Sequence, residues 1–564
     1  MPIIGIDLGT TNSLVAYFTD EGPKIIPNAF GENLTPSVVS IGDNEEVFVG
    51  KIAKERQITN PEQTAAVFKR SMGTKKTCQL GNKTFLPEEL SSLVIRKLKE
   101  DAEKYLGAEI EEAVISTPAY FNDAQRRATK IAGELAGLKV ERIVNEPTAA
   151  AIAYGLHERT DAKYLIFDLG GGTFDISILE FNQNVMEVRA VAGDNFLGGE
   201  DFTAILANLF AKKHELDTEN LTPQQRGLLR KSAETAKKEF SENKEVTVQC
   251  KLEEEILTMS VTQEEFERNC AFILNRIRQP IVRALSDASI KLAEIDSVVL
   301  VGGATKLPLI RNFVSKLLGR IPASHINPEE VVALGAAVQA AMKERNQAIR
   351  ELVLTDVCPF TLGTSVAIER ARGIFQSGNF FPIIERNTTI PASRAERLYT
   401  LYENQRSINI EVLQGESRKA QDNILLGELT IPMPPGAAGR EAVDIRYTYD
   451  INGILEVEAT VVSTGKANRL VIEKNPGALS AEEVQQSLAN LASLKIHPRE
   501  NELNKYLLEK GGRLYQENVG MLRSQVAEML NRFEEALDQQ EQKTIDLMTA
   551  EMKAFYKGIE GSEF

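Results

Sequence analysis

The sequence predicts an α/β protein with a duplicated core, followed by an antiparallel β region and a helical C-terminal segment. Three observations carry this expectation. Up to about residue 350, β-branched runs such as "EEAVIST", "YLIFDLG" and "DSVVLVGG" alternate with helical stretches such as "NDAQRRATKIAGELAGL", the pattern of an α/β fold. Within that region one turn occurs twice, as "IDLGTTNSLV" from Ile6 and "FDLGGGTFDI" from Phe167. From 359 onwards the apolar period changes to two, as in half-buried strands.

At 564 residues the chain exceeds what one hydrophobic core supports, so several domains are expected. Its 43% hydrophobic and 26% charged residues describe an ordinary globular protein. Net charge -15, from 65 Lys+Arg against 80 Asp+Glu, argues against nucleic acid and membranes as partners. Cys78, Cys250, Cys270 and Cys358 are too scattered for a metal site or a disulfide scaffold, and "MPIIGID" enters a strand pattern without signal-peptide features. No apolar run reaches bilayer-spanning length, and a cytoplasmic location is expected.

Each copy of the turn is an apolar strand ending in Asp-Leu-Gly, then small or hydroxyl residues, then a second strand. Glycines let backbone N–H groups approach a phosphate, hydroxyls donate or reach Mg²⁺, and an aspartate at the strand end can hold a metal's water shell. A single "GGGT" reads as easily as a structural turn. Two copies suit a clamp on one polyphosphate, held between duplicated lobes.

In the β region Ile408, Ile410 and Val412 alternate, as do Val443, Ile445, Tyr447, Tyr449 and Ile451. Asn452-Gly453 follows and then Leu455, Val457, Ala459 and Val461, which reads as a hairpin because both turn residues tolerate positive φ. Further on, Ser480 and Glu483 form a capping box behind Leu479, with Val484, Leu488, Leu491 and Leu494 at helical spacing. A second apolar series runs Leu503, Leu507, Leu514, Leu522, Val526, Leu530, Phe533, Leu537.

The segments "VNEPTAAAIAYG", "FLGGED", "AETAKKEFS", "VGGATKLP" and "INPEEVVALGAAVQAA" join the two hairpins in the order a nucleotide cleft requires. Together they resemble the ATPase domain of the 70-kDa heat-shock protein chaperones, the DnaK-type family built on the actin-like fold. The resemblance continues through "VLTDVCPFTLG", "NTTIP", "VLQGE" and "YDINGILEV". The short stretch after "FKRSMG" and the brief C-terminal helices are similar to the HscC branch. The resemblance implies an actin-like two-lobed ATPase domain over 1–350, an interdomain linker over 351–358, a β-sandwich peptide-binding domain over 359–477 and a short α-helical lid over 478–564.

By the same resemblance Asp7, Asp168 and Asp175 surround Mg²⁺ through its waters, while Thr10, Thr11 and the amides of Gly170, Gly171 and Gly172 cradle the β- and γ-phosphates. Lys69, Glu146 and Thr173 orient the attacking water; read alone, Lys69 would be a solvated surface lysine. Gly198, Gly199 and Glu200 match a second phosphate and ribose loop, and Glu234, Lys237 and Ser241 an adenosine-contacting helix. Gly302 and Gly303 approach adenine and ribose. Lys306 stands where arginine is usual over the adenine, and Glu329 where aspartate is usual; arginine stacks as a plane and lysine does not, so weaker nucleotide affinity is expected.

The peptide cleft is expected at Thr364, Val366, Ala367, Leu398, Tyr399, Leu401, Ile408 and Ile410, with Thr364 and Leu398 replacing a common isoleucine and phenylalanine. The insertion "AIERARGIFQSGNFFPIIE", with Arg370, Arg372, Phe375, Phe380 and Phe381, is expected to lengthen a loop over that cleft. Arg142, Asn145 and Asp356 fall where the family docks a J-domain co-chaperone, and Pro118, Arg126 and Lys130 match its proline switch and interdomain contacts. The implied protein is an ATP-dependent chaperone of unfolded clients, using ATP/ADP and Mg²⁺ with K⁺ as a further ion. Its dependence on a nucleotide exchange factor is open. A sugar or acetate kinase and an actin-like filament protein share the hairpins and the cleft, but leave the linker, β region and helices without a role.

Overall fold

The computed structural model describes residues 2–42, 46–154, 161–182, 185–252, 255–323, 326–343, 353–371, 374–449, 454–473, 502–518, 520–540 and 542–560. The chain forms two compact units: Met1–Phe360 with Arg386–Thr389, and Thr361–Glu385 with Ile390–Glu473 and Leu479–Phe564.

In the first unit the two copies of the turn open two sheets of one plan. Ile4–Asp7 pairs in parallel with Glu112–Thr117 and antiparallel with Asn12–Thr19, which pairs with Gly22–Ile26. Likewise Asp161–Leu169 pairs in parallel with Ser297–Val301 and antiparallel with Phe174–Asn182, which pairs with Val185–Asp194. Ile4, Ile6, Leu165, Phe167 and Leu169 are fully buried, as strands covered on both faces must be. The helical stretch after "FNDAQ" is capped reciprocally: Asn122 Oδ1 accepts from the Gln125 amide and Gln125 Oε1 accepts from the Asn122 amide, both at 3.0 Å.

The small-residue segments "NEPTAAAIAYG" and "INPEEVVALGAAVQAA" become the helices Glu146–Ala153 and Val331–Lys343. Their composition sets how closely they pack. A Cβ on Gly335 would stand 1.9 Å from the Ala149 carbonyl oxygen, so any side chain there would drive the two helices apart. From the linker, Val353–Thr355 adds to the free edge of the second sheet, parallel to Val185–Glu187.

The second unit holds two four-stranded antiparallel sheets. One runs Ile374–Ile384, Leu362–Ala371, Ser407–Gln414, Ile424–Pro432; the other runs Ala392–Tyr399, Ala442–Tyr449, Ile454–Val461, Ala467–Glu473. Val443, Ile445, Tyr447, Tyr449, Leu455, Val457, Ala459 and Val461 are buried on the predicted alternation. Tyr447 Oη donates to the Gly363 carbonyl at 2.9 Å, tying one sheet to the other. The turn at Asn452-Gly453 lies outside the described residues, but its flanks pair antiparallel, with Tyr449 opposite Leu455.

The insertion is not the loop expected of it. Leu362–Ala371 and Ile374–Ile384 continue as one antiparallel hairpin, kept in register by irregularities at Leu362/Gly363, Val366/Ile368 and Glu369/Ala371. Bulges of this kind absorb extra residues without ending the ladder. Phe375 is exposed and Phe380 and Phe381 are half-buried, while Arg372 lies outside the described residues.

The helices Glu502–Glu517, Gly520–Gln539 and Gln542–Glu560 share a small core of Leu507, Leu514, Val526, Phe533, Leu537, Ile545, Met548, Met552 and Tyr556. The capping box at Ser480 and Glu483 and the series Val484 to Leu494 lie outside the described residues. Among the described residues no helix is long and apolar enough to cross a membrane.

Candidate active site

A cavity of about 420 Å³ opens between the two hairpins. It is lined by Asp7, Thr10, Thr11, Lys69, Glu146, Asp168, Gly170, Gly171, Thr173, Gly199, Glu200, Glu234, Lys237, Ser241, Gly302, Gly303, Lys306 and Glu329. Three other predicted residues, Gly172, Gly198 and Asp175, support its wall instead. A Cβ on Gly198 would meet the Gly171 carbonyl carbon at 2.5 Å, and the amides of Gly199 and Glu200 donate to the carbonyls of Gly170 and Gly171 at 2.9 Å. Asp175 Oδ1 accepts from the Tyr120 amide at 3.2 Å.

The hairpins interlock. A Cβ on Gly171 would lie 1.7 Å from Thr11 Oγ1, and one on Gly172 would lie 2.4 Å from Thr10 Cγ2. Only glycine opposite threonine lets the two turns meet this closely.

Charge is concentrated at that end. Lys69 is 3% exposed; its Nζ stands 3.0 Å from Glu146 Oε1 and 5.4 Å over the Phe121 ring. Burial, then the Glu146 carboxylate, pushes Asp7 up to about 7 against the opposing pull of Lys69 and the Ser116 hydroxyl, which donates to Asp7 Oδ1 at 2.8 Å. Asp175 is pushed up to about 8 by burial and then by Glu146. Asp168 is held well above the carboxylate range by burial, Glu146, Asp175 and Asp7 in that order. Crowded buried carboxylates are costly unless a cation joins them.

Thr11 Oγ1, Asp168 Oδ2 and Asp175 Oδ2 are buried without a hydrogen-bond partner. Hard oxygens left open beside a cavity fit Mg²⁺ and polyphosphate. Among the described residues no three acidic, His or Cys side chains form a direct chelating group.

At the end expected to take adenosine, Lys306 Nζ and Glu329 Oε2 form an ion pair with each other. Lys237 Nζ donates to the Gly199 carbonyl and to Thr203 Oγ1, both at 2.8 Å, and burial lowers its pKa to about 8. Burial works to raise Glu234, but the hydrogen bond and charge of Lys238, with Lys54 and Lys237, hold it at about 2. Ser241 Oγ donates to the Lys238 carbonyl at 2.7 Å.

Arg70 and Asp201 are not among the predicted site residues. Arg70 Nε donates to the Gly172 carbonyl at 2.9 Å and its Nη2 stands 2.7 Å from Asp201 Oδ2, so this pair fastens one lobe to the other. The available signals were the basic residue after Lys69 and the final Asp of "FLGGED".

Five of the six residues expected to carry coupling lie beside the linker. Asn145 Nδ2 donates to Asp356 Oδ2 at 2.9 Å, and Arg126 Nη2 donates to Asn145 Oδ1 at 2.6 Å and to the Pro118 carbonyl at 3.5 Å. Arg142, whose Nη1 donates to Gln339 Oε1 at 3.1 Å, lies in the same strand as Asn145. Lys130 pairs instead with Glu134 of its own helix at 3.5 Å.

Of the peptide-cleft positions, Thr364 and Ile410 are fully buried, Tyr399 is 55% exposed, and Val366, Ala367, Leu398, Leu401 and Ile408 are half-buried. Their two central strands pair only at Leu362 with Gln414 and Gly363 with Leu413. Beyond that the strands carrying Val366 and Ile408 no longer bond to each other.

The model of the Hsp70 protein family matches residues 3–563. The chain is also similar to the chaperone protein DnaK of Thermotoga petrophila, 42% identical over 487 residues that cover 83% of this chain and 80% of that protein. These matches, found for a chain whose paired hairpins enclose a cavity, mean that the chain belongs to the Hsp70 family, ATP-dependent chaperones in which an actin-like ATPase domain controls peptide binding by a substrate-binding domain.

Proposed function

We propose that Lys69, Glu146 and Thr173 act on the γ-phosphate and its attacking water, and that the linker reports nucleotide state to a peptide cleft in the second unit. ATP's γ-phosphoryl passes to water as the bond to the β-phosphate oxygen breaks, leaving ADP and inorganic phosphate. Positioning and charge neutralisation dominate such transfers. Lys69 neutralises the migrating phosphoryl, and the Glu146 carboxylate, paired with Lys69 at 3.0 Å, takes the water's proton. Thr10 and Thr11 donate from one side and the amides of Gly170 and Gly171 from the other. Asp7, Asp168 and Asp175 would hold Mg²⁺, which when bound would supply charge neutralisation; a requirement for K⁺ is tested by exchanging K⁺ for Na⁺.

In this reading 1–350 is the ATPase domain, 351–358 the linker, 359–477 a β-sandwich and 478–564 a short lid. The early end of the ladder between Leu362–Ala371 and Ser407–Gln414 supports a slot for an extended apolar peptide. Arg142, Asn145 and Asp356 form the J-domain dock beside the linker, and the HscC-type branch and a cytoplasmic location complete the proposal.

The observation that carries the coupling is the linker strand on the second sheet, followed by the chain of hydrogen bonds from Asp356 through Asn145 to Arg126 and Pro118. The test is stopped-flow release of a fluorescent apolar peptide. ATP should speed release on the order of tenfold or more relative to ADP, and equal rates would overturn the proposal.

A further inference from the structure

A second cavity, of about 320 Å³, adjoins the nucleotide site. Thr10, Thr11, Glu200 and Glu234 line both cavities, so the phosphate-gripping turn is a shared wall. Its sides are the helices Lys51–Thr59 and Pro223–Glu239, which come together where a Cβ on Gly227 would stand 3.2 Å from the Gln57 carbonyl oxygen. Its volume is roughly that of ten waters at ~30 Å³ each, ample for a hydrated small anion.

The lining of this cavity is basic. Four cations, Lys54, Arg226, Arg230 and Lys231, face it. Three are held by carboxylates: Lys54 by Glu234 at 3.4 Å, Arg230 by Glu200 at 2.5 Å and Lys231 by Glu55 at 3.2 Å. Arg226, exposed, has no side-chain partner among the described residues. On the shared wall, Thr11 Oγ1 is buried and equally without a partner. A free hydroxyl on the shared wall and a free guanidinium that lines only the second cavity give an oxyanion donors on both sides of that wall.

We propose that this cavity is the passage and transient binding site for the inorganic phosphate produced at the γ-position. The inference rests on the ATPase reading of the main cavity. In that reading ADP occupies the way to the adenosine end, past Gly302 and Lys306, so phosphate formed beside Lys69 is trapped behind the nucleotide. The second cavity begins at Thr10 and Thr11 and lets phosphate leave while ADP stays. Phosphate release is then separate from nucleotide exchange, and free phosphate re-enters the ADP complex by the same path.

The test uses microscopic reversibility on the full chain. The Mg·ADP complex is mixed with radiolabelled inorganic phosphate and uptake is followed by rapid filtration, for the unmodified protein, Arg226→Glu and Ala66→Leu. Arg226→Glu reverses the free charge, and Ala66→Leu narrows the cavity at one of its lining residues. Both should slow uptake about tenfold, while ADP dissociation and acid-quenched ATP cleavage stay within about twofold of the unmodified protein. Unchanged uptake in both variants, or no uptake by the unmodified ADP complex, overturns the passage. Arg226 is exposed, so its variant decides the matter alone should Ala66→Leu fail to fold. Loss of ATP cleavage in the unmodified protein would instead remove the ATPase reading, a separate outcome.

Discussion

After Asp-Leu-Gly the first hairpin continues with Thr10 and Thr11, and the second with Gly171 and Gly172. Under the relation that superposes the two sheets, Thr10 corresponds to Gly171 and Thr11 to Gly172. The contacts cross accordingly: Thr11 fills the space over Gly171, and Thr10 the space over Gly172. Two copies with threonine would clash and two with glycine would leave a gap, so divergence between the copies is what lets them close on one ligand. One side then offers hydroxyls, the other backbone amides.

The aspartates diverge for a related reason. Ile115 stands opposite Ile6 and Leu300 opposite Phe167, so Ser116 and Val301 occupy equivalent places beside Asp7 and Asp168. Ser116 donates to Asp7, whereas valine cannot donate, and Asp168 Oδ2 is left open. The second copy also carries Asp175 where the first has Leu14. The first copy is thus the more satisfied support and the second keeps its oxygens for the ligand.

The largest expected effect falls where the two copies have no correspondence. Lys69→Ala should lower ATP turnover by on the order of 10²–10³ while ADP affinity changes little, because in the proposed mechanism Lys69 meets only the migrating phosphoryl and its water. Single-turnover cleavage and calorimetric ADP binding check this. A variant that loses ADP binding as steeply as turnover would make Lys69 a general phosphate anchor.

Gly171→Ala attacks the interlock directly. With its Cβ 1.7 Å from Thr11 Oγ1, it should cost about 1–3 kcal/mol of stability, read as a lowered Tm, and weaken ADP binding. Adding Thr11→Gly moves the glycine to the other hairpin and should recover part of both losses, a coupling of about 0.5–3 kcal/mol. Strictly additive losses would mean that the two turns do not share this space.

These asymmetries also set what the sequence could disclose. Both Asp-Gly turns were legible because polyphosphate chemistry demands those residue types at a strand end. Lys69 was not legible by type, since its burial depends on Glu146, far along the chain, and on the Phe121 ring. The bridge from Arg70 to Asp201 depends on tertiary placement in the same way. The insertion misled because extra residues in an aligned segment suggest a loop, whereas here they lengthen two paired strands through register shifts, with Gly378 at φ 80°. Docking of Val353–Thr355 needed a free sheet edge that local pattern does not reveal.

The equivalent strand of the first copy, Gly22–Ile26, also ends its sheet, but it is Val185–Asp194 of the second that receives the linker. Asp356→Ala, which removes the acceptor for Asn145, should cost about 1–3 kcal/mol of coupling. It would be read as lost ATP acceleration of peptide release with ATP and peptide affinities retained. Full acceleration would place the switch in the strand pairing rather than the side chain.

The smallest effect sits at the adenosine end, where the loop after Ser297–Val301 corresponds to the Pro118 loop after Glu112–Thr117. One strand end lines the cavity and its counterpart lies beside the linker contacts of Asn145 and Asp356. Lys306 and Glu329, which the resemblance places where arginine and aspartate are usual, pair with each other, so neither position should be judged singly. Lys306 is 41% exposed at its side chain, and a pair this open contributes little stability. Lys306→Arg supplies a plane able to stack on adenine, yet the guanidinium still faces Glu329, which competes for it. The single variant should therefore gain at most about twofold in ADP affinity, and Lys306→Arg with Glu329→Asp, whose shorter carboxylate releases the arginine, about two- to fivefold, under ~1 kcal/mol. Calorimetry of both variants against ADP and against inorganic pyrophosphate isolates the base. A gain shared by pyrophosphate would assign the effect to charge, and no gain in the double variant would show that Lys306 already contributes what this position can.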